Sequence, residues 1–151
     1  MNRVLAVAML GGLVVSAAAH AAGTQFKGKI TVSMNITLSH PLTGSQSLYC
    51  SAGGTGGDAG QETFKGQTII PAQQRTATDY TCSAVVPYNW IDQNVSGDQM
   101  DVQITYEAVI LDANVAFNNL GLGLFSASGN FKVQGLTAGQ NINYATPISL
   151  Y

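Results

Sequence analysis

Residues 26–39 read FKGKITVSMNITLS, in which Phe26, Gly28, Ile30, Val32, Met34, Ile36 and Leu38 alternate with Lys27, Lys29, Thr31, Ser33, Asn35, Thr37 and Ser39. A period of two sends successive side chains to opposite faces of an extended chain, which predicts a β-strand with one buried face. At ~3.3 Å per residue the stretch reaches ~46 Å, more than twice an ordinary strand. Two uses of that length are open. The strand kinks near Gly28 and serves two sheets, or its outer portion pairs with another molecule.

The rest of the chain repeats the pattern in shorter pieces. A proline- and glycine-punctuated turn at residues 39–44 leads to a strand through Leu48, Cys50 and Ala52, which is expected to stop at the glycine-rich run of residues 53–60. Residues 62–70 read as a third strand ended by Pro71. Residues 79–90 are a strong fourth, with Tyr80, Cys82, Ala84, Val86, Tyr88 and Trp90 on one face. Met100, Val102, Ile104, Tyr106, Ala108 and Ile110 alternate in the next segment, which the turn-like residues 92–99 offer as the hairpin partner of the fourth. Shorter strands are expected around residues 115–117, 120–125, 131–136 and 142–151, with breaks at residues 118–119, 128–130 and 138–140. No capped amphipathic helix is legible. Many short alternating strands with frequent turn signals predict an all-β fold, a single immunoglobulin-like or Greek-key β-sandwich.

The chain opens with Arg3, an apolar run over residues 4–15 and the small residues of Ala19-His20-Ala21, the plan of a secretory signal. Residues 1–21 are therefore expected to be removed, leaving one domain over residues 22–151 and no membrane span. Export to an oxidising compartment makes Cys50 and Cys82, the only cysteines, a natural disulfide pair. Charged residues are 9% of the chain, against about 25% in an ordinary domain. Without the leader, Lys27, Lys29, Lys65, Arg75 and Lys132 face eight acids, a formal balance of −3. That balance argues against nucleic acid as a partner. A weakly charged surface rich in hydroxyls and amides also lowers the repulsion between copies of the chain.

Few residues suggest chemistry. His40 sits beside Ser39 and near Ser45, but adjacency in sequence does not make a catalytic triad, and no nucleophile elbow is present. Residues 92–98, DQNVSGD, resemble the first half of a calcium loop, although Gln103 stands where a bidentate glutamate belongs. Tyr88 and Trp90 share the parity of Cys82, which points them to the core rather than to an outward platform for a sugar ring. No metal, cofactor or catalytic residue is assigned.

A leader, an alternating amino-terminal strand, one disulfide and a β-rich body with few charges together resemble the plan of bacterial fimbrial subunits. The resemblance implies a secreted, non-catalytic structural protein at the periplasm or cell surface, associating with itself or with another envelope protein. It further implies β-strand addition through the amino-terminal strand, with Phe26, Ile30, Val32, Met34, Ile36 and Leu38 as the assembly residues. Two other classes compete with it: an extracellular carbohydrate- or ligand-binding module that uses the loops at residues 53–60 and 92–98, and a small secreted hydrolase.

Overall fold

The computed structural model describes residues 24–56, 64–92, 99–116, 121 and 123–151. The expected leader and most of the calcium-like loop lie outside the described residues, as do residues 57–63. Among the described residues eight strands run in chain order as β1 (Thr24–Leu38), β2 (Gln46–Gly56), β3 (Phe64–Pro71), β4 (Gln73–Gln74), β5 (Asp79–Asp92), β6 (Gln99–Asp112), β7 (Phe125–Thr137) and β8 (Asn141–Leu150). They form two four-stranded sheets, β4-β5-β1-β8 and β3-β2-β6-β7, packed face to face as a sandwich. Every pairing is antiparallel except that of β1 with β8, the first strand with the last.

The alternation in β1 is realised in full. Phe26, Ile30, Val32, Met34, Ile36 and Leu38 are all buried in the core, while the odd-numbered side chains face outward. Burial of such side chains, each contributing about 1.5–3 kcal/mol relative to exposure, is the main force holding β1 in place. Inward residues from both sheets, among them Leu48, Ala52, Ala84, Val86, Val102 and Ile104, complete the core. Cys50 on β2 and Cys82 on β5 form the disulfide, which ties one sheet to the other across a Cα–Cα distance of 6.6 Å.

Several expectations are corrected. β1 neither kinks at Gly28 nor divides between sheets: it pairs with β5 from Thr24 to Thr37 in one unbroken register. The length of β1, 15 residues, is matched by a neighbour of 14. β5 and β6 are not a hairpin, since β5 lies in the sheet of β1 and β6 pairs with β2 and β7 in the other. Residues 53–56, read as the start of a loop, are strand, held between β3 and β6. Main-chain hydrogen bonds on both sides offset the entropy that glycine loses there. Residues 128–130, read as a turn, lie inside β7, and residues 113–116 form a turn where a short strand was expected. The turn at residues 138–140 is present, with Gly139 at φ +80°.

Pro71 and Ala72 carry the chain from β3 in one sheet directly to β4 in the other. Thr68 donates its hydroxyl to the Val85 carbonyl, which seals this side of the sandwich. The opposite side is bounded by β7 and β8, the end strands of their sheets. There Tyr106, Phe131 and Tyr144 cluster, with the Phe131 and Tyr144 rings stacked at a centroid distance of 3.9 Å.

Candidate functional site

The site follows from where β1 sits. It is the first of the described strands, yet it occupies an interior position, with β5 on one side and β8 on the other from Lys29 to Leu38. On its outer face short polar side chains make cross-strand links to β5. Ser33 Oγ lies 3.1 Å from Ser83 Oγ, Thr37 donates to Asp79 at 3.2 Å, and Gln25 donates to Asn89 at 3.1 Å. On the inner face Gly28 is opposite Tyr88. The missing side chain lets the phenol of Tyr88 cross β1 and donate to the Gln140 carbonyl, immediately before β8. Burial raises the pKa of that phenol, so it stays a donor. β5, β1 and the start of β8 are thus fastened through one glycine.

The far end of β1 is fastened as well. Ser39 N donates to the Leu150 carbonyl at 3.1 Å and to Tyr151 O at 2.8 Å. Ser39 Oγ lies 2.8 Å from His40 Nδ1, the His40 ring stacks on Tyr151 at 5.9 Å, and Tyr151 stacks on the exposed Phe125 at 4.1 Å. Ser39 and His40 do meet. Among the described residues no carboxylate side chain hydrogen-bonds the imidazole, so they form a pair without the third member of a triad.

All six residues expected to form an assembly strand share one inward face of β1, and Tyr88 is in the core as its parity predicts. The side chain of Trp90 and the loop at residues 93–98 lie outside what the structure describes. Among the described residues no group of three or more His, Cys, Asp or Glu side chains is placed to hold a metal ion.

A second surface was not legible in the sequence. Across the outer face of the β3-β2-β6-β7 sheet runs an open trough of about 740 Å³, centred on Gly53 and edged by Ser51, Gln67, Thr105, Glu107 and Ser128. Its one available signal was the shared parity of Ser51, Gly53 and Thr55, which the reading of residues 53–60 as a loop concealed.

No family model, no curated protein and no solved structure matches the chain.

Proposed function

We propose that the protein is an exported, non-catalytic structural subunit that assembles with copies of itself, or with another envelope protein, through β1. The observation that carries this reading is that β1 is the first of the described strands but interior in its sheet. With the leader removed, as proposed, β1 is joined to its domain at its carboxyl-terminal end and can be supplied by a second molecule with the same register, the same buried side chains and no new interface. The inward face of β1 provides the affinity, and the unbroken β1–β5 register provides the specificity. The low charge of the surface favours close approach of copies. The disulfide suits an oxidising compartment, and among the described residues no helix is long and apolar enough to cross a membrane.

A chain beginning at Ser39, refolded with and without a synthetic peptide of residues 24–38, tests whether the strand works in trans. The reading predicts that the shortened chain regains a cooperative melting transition only with the peptide. Size-exclusion chromatography and electron microscopy of the protein lacking residues 1–21 should then show oligomers or filaments. A strictly monomeric species at every concentration contradicts the proposal.

A further inference from the structure

The trough on the outer face of the β3-β2-β6-β7 sheet lies away from β1, and what it does is independent of the assembly reading. Gly53 forms its floor: the residue sits between Thr105 on β6 and Gln67 on β3, so the sheet is indented where a side chain would otherwise stand. Ser51, two residues earlier on the same face, is only 6% exposed, and its hydroxyl makes no hydrogen bond among the described residues. A buried hydroxyl without a protein partner is left to pair with whatever occupies the trough. Glu107 is opposite Ser51 on one side and Ser128 on the other. It too has no ion pair or hydrogen bond among the described residues.

We infer that this trough is a binding site for a neutral oligosaccharide. The chemistry of the lining decides the class. Ser51, Thr105 and Ser128 offer hydroxyls, Gln67 an amide and Glu107 a carboxylate, and none of the described lining residues is a lysine, arginine or histidine. Paired sugar hydroxyls donate well to a single carboxylate, in hydrogen bonds strengthened by its charge. Phosphorylated, sialylated or uronic ligands meet the negative charge of Glu107, which has no ion pair among the described residues. An apolar ligand would leave the lining unpaired. An extended polypeptide is disfavoured for a different reason. β2 and β6 are interior strands whose main-chain groups are engaged by their neighbours, so the trough presents side chains and no open ladder. The volume of about 740 Å³ is that of a small-ligand cleft, and its open shape admits the middle of a longer chain.

The test is an array of neutral and acidic glycans probed with the protein lacking residues 1–21, followed by calorimetric titration of the best binder. Expected are neutral glycans without acidic ones, at least tenfold weaker binding in Glu107→Gln, and loss of binding in Ser128→Trp, which puts an indole into the trough from an exposed position on an end strand. Ser51→Ala should weaken binding while leaving the melting temperature unchanged or raised, an outcome that a structural role for the hydroxyl would reverse. The inference is overturned if no neutral glycan binds, if only acidic glycans bind, or if binding survives both Glu107→Gln and Ser128→Trp. It is also overturned if those two variants abolish self-association while no glycan binds, which would assign the trough to a second copy of the chain.

Discussion

At Gly28 an absent side chain sets the geometry of three strands. A Cβ there would collide with the Tyr88 phenol and the Gln140 carbonyl. Gly28→Ala should therefore destabilise the fold by about 2 kcal/mol, as overpacking does. Part of that penalty should vanish in a Tyr88→Ala background, the clash with the Gln140 carbonyl remaining, because neighbours that share one space are not additive. Urea titration of the two single variants and the double variant measures the coupling; additive effects would mean that the ring does not depend on the glycine. Gly129 and Tyr106 repeat the arrangement between β7 and β6. The sequence shows that Gly28 and Tyr88 both point inward, but a glycine within a strand reads equally as a bulge or a kink. Only the cross-strand register reveals that a tyrosine fills its space.

Strand pairing was the least legible feature at the scale of elements, although strand existence was largely plain. Alternation assigns a face to each residue and is silent about the neighbouring strand. Residues 79–90 and 100–111 alternate equally well and are joined by turn-like residues, yet they lie in different sheets. The mutual length of β1 and β5 and the Cys50–Cys82 bridge between sheets favour that arrangement over a local hairpin. The trough stayed hidden for the same reason: glycine composition predicts a loop until two paired neighbours hold it extended.

The β6–β7 pair carries a second legible consequence. Its register shifts between Met100 and Val102, so that Asp101 faces the extra residues of β7, and Gly135 there adopts φ +62°. Asp101 accepts from Lys132 Nζ at 2.7 Å and from Gly135 N at 3.0 Å. Lys132, and after it the Gly135 amide, hold the carboxyl below its ordinary value of 3.8. A depressed carboxyl contributes stability that is present above the ordinary value and is lost as the pH falls through the folded-state value. Asp101→Asn should accordingly flatten the fall of melting temperature below about pH 4; an unchanged acid limb would show that this contact contributes nothing. Gly135→Ala places a Cβ in the left-handed region and should cost about 1–2 kcal/mol, read by the same melting experiment at neutral pH.

For the whole molecule, the disulfide and β1 do different work. The bridge closes a sequence separation of 32 residues and joins the sheets, so Cys50→Ala/Cys82→Ala should lose about 4 kcal/mol. A fall in melting temperature on the order of 10 °C is expected, and a negligible change would show that packing alone fixes the sheets. β1 contributes an entire row of core side chains and is the piece that the proposed assembly exchanges between copies. Ser33 and Ser83 report directly on which copy supplies it, because their hydroxyls face each other at 3.1 Å across the β1–β5 pair. Ser33→Cys/Ser83→Cys, oxidised in the protein lacking residues 1–21 and run on a non-reducing denaturing gel, is the most direct measurement. Exchange of β1 between copies predicts a covalent ladder of multimers that collapses to one band on reduction; a single monomer band before reduction, with the new cysteines fully linked within one chain, would contradict it.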